Sequence, residues 1–283
     1  MTPKPKALTL DVNYGALRAN CYGDVAKPGI LALHGWLDNA GSFDYLAPLI
    51  SKQPLVALDL PGHGLSDHIP EGTRYHFLDF VEIVCDVIEK LNWSKTTIIG
   101  HSLGGAIGTV IAATFKNSID KLVLIDALGP LSESTMDGPA RLTASVKRMR
   151  ELRHDKLRYY KDFATALLVR RKAGKLSAKA ATPLVERGSV ETCQGVTWRF
   201  DPRLLVPSQR YFSEEEVLTY LHAIEAPTCL IRANEGILDE HPLIDYRISA
   251  FQHITVHNIP GNHHVHLEEP KAVAKLINGF LDH

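Results

Sequence analysis

Six short apolar runs punctuate the chain: Ile30–Leu33, Leu55–Leu60, Thr96–Ile99, Lys121–Ile125, Thr228–Ala233 and Ile254–Ile259. They are nearly unbroken by polar residues, which suits strands covered on both faces, as in a parallel sheet. Helical periodicity occupies Phe77–Asn92, Leu103–Phe115 and Pro270–Leu281. Two earlier runs, Ala7–Val12 and Ala16–Cys21, predict a leading antiparallel hairpin turned at Asn13–Gly15. Strand alternating with helix places the chain in the α/β class, with a mostly parallel, doubly wound sheet. There is no internal repeat and no low-complexity stretch.

One interval breaks this rhythm. From Gly129 to about Phe212 there is no strand-like run, and helix-forming residues dominate. A stretch of about 80 residues is too long for a simple connection. It predicts a helical insertion over residues 130–213, emerging after the strand that ends at Asp126. Residues 1–129 and 214–283 are then one α/β core. Such an insertion is expected to cap the site, with Met149, Phe163, Leu167, Trp198 and Phe212 lining a pocket.

Charge sharpens the contrast. Between Arg141 and Arg187 fourteen Lys and Arg residues face only four acids, in a chain whose formal net charge is −1. That basic excess either forms the solvated outer face of the insertion or turns partly inward to attract anionic substrates, such as acyl groups bearing a carboxylate or CoA. The balanced total gives no whole-molecule field for nucleic acid or membrane. No run of 18 apolar residues predicts a membrane span, and Met1–Val12 lacks the apolar run of a signal peptide. The four cysteines, Cys21, Cys85, Cys193 and Cys229, have no paired spacing. They read as small buried hydrophobes in a reducing compartment, and a cytoplasmic location is expected.

Four motifs carry candidate chemistry. The first is Gly100-His101-Ser102-Leu103-Gly104, a G-x-S-x-G between a strand and a helix. A serine projecting from so tight a turn needs neighbours without bulk, and its place at a helix N-terminus favours developing negative charge. The second is His34-Gly35-Trp36, closing an earlier strand. The third is the loop Asp59-Leu60-Pro61-Gly62-His63-Gly64-Leu65-Ser66, whose glycines permit a tight turn. His63 reads there as a packing histidine. The fourth is Gly261-Asn262-His263-His264-Val265-His266-Leu267-Glu268-Glu269-Pro270, between the last strand and the last helix. Three histidines in four positions raise a metal reading, but no second carboxylate–histidine cluster completes a site, so neither metal nor cofactor is expected.

Together these motifs resemble the α/β-hydrolase superfamily, and more narrowly its serine hydrolase-like branch. The resemblance spans residues 31 to 270 in family order. It implies Ser102 as nucleophile and His263 as the base, selected by the pattern G-x-H-x-x-x-x-E-x-P, with His264 and His266 as alternatives. It implies an oxyanion hole made by the backbone N–H groups of Trp36 and Leu103. The triad acid departs from the common pattern. The turn after Thr228–Ala233 reads Asn234-Glu235-Gly236-Ile237-Leu238-Asp239, with no aspartate at the usual offset. Asp126, at the end of the preceding strand, Asp239 and Glu235 are therefore all candidates.

The implied function is hydrolysis of carboxylic esters or related acyl compounds of small size through an acyl-enzyme. The same triad also serves C–C bond hydrolases, thioesterases, lactonases and perhydrolases. A non-catalytic binding protein of the same fold is the alternative from another class. It would be expected to lose Ser102 or His263, and both are present.

Overall fold

The computed structural model describes residues 5–50, 53–133, 138–152, 154–155 and 157–282. The chain opens with β1 (Lys6–Val12) and β2 (Gly15–Tyr22), followed by β3 (Ile30–Leu33), β4 (Leu55–Leu58), α1 (Phe77–Leu91), β5 (Thr96–His101), α2 (Leu103–Thr114) and β6 (Ile119–Ile125). The segment after β6 carries α3 (Gly138–Leu152), α4 (Phe163–Gly174), α5 (Ala178–Gly188), β7 (Ser189–Thr192) and β8 (Gly195–Trp198). The chain then makes α6 (Glu214–Ala223), β9 (Thr228–Glu235), α7 (Ile244–Ser249), β10 (Ile254–Asn262), α8 (Val265–Glu268) and α9 (Pro270–Leu281).

Eight strands form one sheet in the order β1-β2-β4-β3-β5-β6-β9-β10. β2 pairs antiparallel with β1 and with β4, and every other pairing is parallel. The apolar runs earn this place because each strand alternates its side chains between two covered faces. Leu31, Leu33, Leu122 and Leu124 pack with Val84, Ile107 and Leu221 on one side. Ile30, Ala32, Val123 and Ile125 pack with Phe43, Val273 and Ile277 on the other.

Two readings of the sequence are corrected here. The interval from Gly129 to Phe212 is not strand-free, because β7 and β8 form a hairpin paired from Ser189↔Trp198 to Thr192↔Gly195. Each arm is only four residues, too short to stand out in a helix-rich stretch. Cys193 lies exposed in the turn of that hairpin, so it is not a buried hydrophobe, whereas Cys21 and Cys229 are buried and all four thiols are free.

The basic excess of this segment does not all face solvent. Arg170 of α4 pairs with Asp38, whose side chain is only 1% exposed. Arg187 of α5 spans both carboxylate oxygens of Asp59 at 2.9 Å and also bonds Asn20 Oδ1 at 2.9 Å. Asp59 is fully buried and accepts the N–H groups of Ala40 and Leu65 as well. Two core aspartates thus each hold one arginine of the segment between β6 and α6. None of the described helices is long and apolar enough to cross a membrane.

Candidate active site

β5 ends at His101 and α2 begins at Leu103, so Ser102 makes the whole turn between them, with φ 50° and ψ −115°. A non-glycine residue held there costs about 1–3 kcal/mol and persists only where its surroundings fix it. They do so from both sides. Ser102 N–H donates to Ile125 O at 3.2 Å, and Gly104 N–H donates to His34 O at 3.1 Å. A Cβ on Gly104 would overlap the Leu33 carbonyl, and one on Gly100 would stand 2.5 Å from Gly104 and Gly105 backbone atoms. The two glycines are therefore what lets the turn close against β3.

Ser102 opens on a cavity of about 420 Å³ whose wall includes Gly35, Trp36, His101 and His263. Among the described residues, no protein acceptor bonds the backbone N–H of Trp36 or Leu103. Leu103 is the first residue of α2, where N–H groups lack intrahelical partners.

His263 follows β10 directly and its side chain is 24% exposed. Its Nδ1 donates to Asp126 Oδ2 at 2.6 Å. That bond fixes the tautomer and leaves Nε2 as the basic nitrogen. Asp126 sits just beyond β6 at φ 45°, fully buried. Its Oδ2 also accepts Ile237 N–H at 2.9 Å and its Oδ1 accepts Ala233 N–H at 3.3 Å. A Cβ on Gly236 would overlap the carboxylate, so the β9 turn wraps the acid closely because that residue is glycine.

The other candidate acids are elsewhere. Asp239 is drawn to Arg232 Nη2 at 3.2 Å and is half exposed. Glu235 ends β9 in register with Asn262 and its side chain is exposed. Neither shares a hydrogen bond with His263 among the described residues.

The remaining histidines are packed around the first. His101 Nε2 donates to His263 O at 3.0 Å, and its ring lies 4.6 Å from that of His263 and 4.2 Å from that of His266. Burial, and then the neighbouring histidines, push the His101 imidazole well below its ordinary range. His266 bonds Ser42 Oγ at 2.7 Å, and burial lowers it to about 3. His63 is buried with Nδ1 on Pro61 O at 2.9 Å, a packing role, and burial lowers it too, to about 3. His34 donates from Nδ1 to Gly35 O at 2.7 Å and accepts Leu60 N–H at 3.0 Å, bracing the Gly35 turn. Among the described residues no group of His, Cys, Asp or Glu could hold a metal ion.

A model of the α/β hydrolase fold family matches residues 28–270. The chain belongs to that family. It is 32% identical to a serine hydrolase-like protein of Danio rerio, covering 96% of this chain and 87% of that one. It is also 32% identical to serine hydrolase-like protein 2 of Homo sapiens, over 97% and 93% of the two chains. The crystal structure of a hypothetical protein from Pseudomonas aeruginosa superposes with a TM-score of 0.92 at 32% identity, covering 98% and 99% of the chains.

Within this α/β-hydrolase frame, the cavity lining differs from the sequence expectation. Of the five apolar residues expected there, Trp198 lines the cavity. Phe163 is exposed, Leu167 packs between α4 and α5, and Phe212 stacks edge-on against Phe77 at 5.6 Å and Tyr220 at 5.8 Å. Met149 of α3 does not reach the wall. Val169, Leu184 and Phe200 stand there instead.

Sequence reasoning also passed over Asp38 and Arg170, both in the cavity wall. The signal was faint: an aspartate three positions beyond Gly35, and one arginine among the fourteen cations of a basic stretch.

Proposed function

We propose that this chain is a serine hydrolase of carboxylic esters or related acyl compounds. Ser102 attacks the carbonyl while His263 Nε2 takes its proton, and Asp126 stabilises the imidazolium that forms. The N–H groups of Trp36 and Leu103 stabilise the oxyanion. The imidazolium then gives its proton to the leaving alcohol, and water admitted to the cavity cleaves the acyl-enzyme. Residues 130–213 act as a cap, with Val169, Leu184, Trp198 and Phe200 forming an apolar receptacle for the acyl group.

The observation that carries this reading is the 2.6 Å bond from His263 to Asp126 beside a serine held in a strained strand-to-helix turn. A binding protein has no need of either arrangement. A fluorophosphonate probe should label the wild type and not Ser102→Ala, and p-nitrophenyl esters should be hydrolysed by the wild type alone. A wild type that neither labels nor turns over any ester, thioester or lactone would leave a binding protein as the surviving reading.

A further inference from the structure

The Asp38 carboxylate has an unusual set of neighbours. Its side chain is 1% exposed, and Arg170 Nη2 donates to its Oδ1. Its Oδ2 stands 3.3 Å from His264 Nε2 and 3.8 Å from His101 Nδ1. His101 immediately precedes Ser102, His264 immediately follows His263, and Asp38 lies two residues beyond Trp36. One carboxylate therefore stands beside the residues adjacent to Ser102 and His263, and Arg170 ties it to α4.

A carboxylate out of water is strongly disfavoured unless a cation meets it. Burial alone would raise the Asp38 pKa, yet Arg170 foremost, with His264 and His101 behind it, holds it well below the usual range. A guanidinium keeps its charge at any working pH, so Arg170 is the fixed positive charge of the group. The guanidinium lies along the end of α4, where a Cβ on Gly174 would stand 2.6 Å from Arg170 Nη1. The Gly35–Asn39 loop is held too: Leu37 sits at φ 62°, Asp38 N–H donates to Gly35 O at 3.1 Å, and Asn39 Nδ2 donates to Leu184 O at 2.8 Å.

Val169, Arg170, Ala173 and Gly174 all line the cavity. Spacings of three and four residues put them on one face of α4. Whatever fixes Arg170 thus fixes this wall relative to Ser102. We propose that Asp38 and Arg170 are positioning residues whose buried ion pair sets the width of the acyl pocket and so the acyl-chain selectivity. This rests on the reading of Ser102 as an acyl-transfer nucleophile. Because Asp38 neutralises it, Arg170 acts as a strut and not as a receptor for an anionic acyl group.

The test compares wild type, Asp38→Asn, Arg170→Met and the double variant on p-nitrophenyl esters from acetate to decanoate. A hemisuccinate ester is added, and active sites are counted with a fluorophosphonate. Freed from the pair, α4 should yield. The kcat/KM ratio of octanoate to acetate should rise at least about fivefold in each single variant, mainly through a higher KM for the short ester. The double variant should do no more than either single, since both break one contact. Arg170→Met alone carries the comparison if Asp38→Asn does not fold.

A labelled wild type whose chain-length profile is unmoved by Arg170→Met, or strictly additive effects in the double variant, would overturn the pair's role. A loss confined to the hemisuccinate would also overturn it, making Arg170 an anion-binding group. An unlabelled, inert wild type would instead sink the hydrolase reading itself.

Discussion

His263 Nδ1 and Asp126 Oδ2 meet at 2.6 Å across 137 residues of chain. The contact is prepared on both sides. The Asp126 carboxylate is held by the N–H groups of Ala233 in β9 and Ile237 in the turn after it, and His263 emerges from β10, which pairs with β9 in parallel. Asp239, three residues past Gly236, is turned away to Arg232.

It follows that Asp126→Asn should lower kcat by about a thousandfold or more, because an amide cannot hold the required tautomer or balance the imidazolium. Asp239→Asn removes only an exposed ion pair and should change kcat less than about threefold. Steady-state rates on one ester, normalised to active sites, decide between them. Similar losses in both variants would remove Asp126 from the mechanism.

Gly236→Ala probes the same contact without changing charge. The added Cβ overlaps the Asp126 carboxylate, so either the turn or the acid must shift. A shift of about 1 Å at a catalytic group can cost about a hundredfold. We expect kcat to fall more than tenfold with the fold retained, as read by circular dichroism and ester turnover. Full activity in this variant would show that the acid tolerates displacement.

Trp36 is expected to act through its backbone and not its ring. The indole is 52% exposed and its Nε1 donates to Leu204 O at 3.2 Å. Trp36→Ala keeps the main-chain donor, so kcat for a small ester should stay within about fivefold, whereas losing an oxyanion donor typically costs about 100- to 1,000-fold. A loss of the larger size, with a correctly folded variant, would assign the contribution to the indole.

Acid should destabilise the fold through its buried imidazoles. Burial lowers His34 to about 4 and His63 and His266 to about 3, against about 6.5 in an unfolded chain. Above that value both states are neutral and these groups add no pH dependence. Below it the unfolded chain takes up protons that the fold refuses. Stability therefore falls from about pH 6.5 toward pH 4, by up to about 1.4 kcal/mol per pH unit for each group. Urea midpoints at about pH 7 and pH 5 should differ accordingly, and His266→Gln should flatten the slope. Equal midpoints in the wild type would mean that these rings protonate in place.

The sheet and the strand-to-helix turn at Ser102 were legible in the sequence because both are local statements. Four residues such as Ile30–Leu33 carry their own instruction to be buried on two faces, and Gly100 and Gly104 announce a tight turn at position 102. His263 was selected by a motif of similarly short range. The carboxylate that meets His263 was not, because its identity depends on how the β9 turn closes over the end of β6, and no local pattern separates Asp126 from Asp239. The same holds for Asp38 and Arg170, 132 residues apart. Each is an ordinary charged residue in its own stretch, and only the approach of α4 to the Gly35–Asn39 loop brings Arg170 against the buried Asp38 carboxylate.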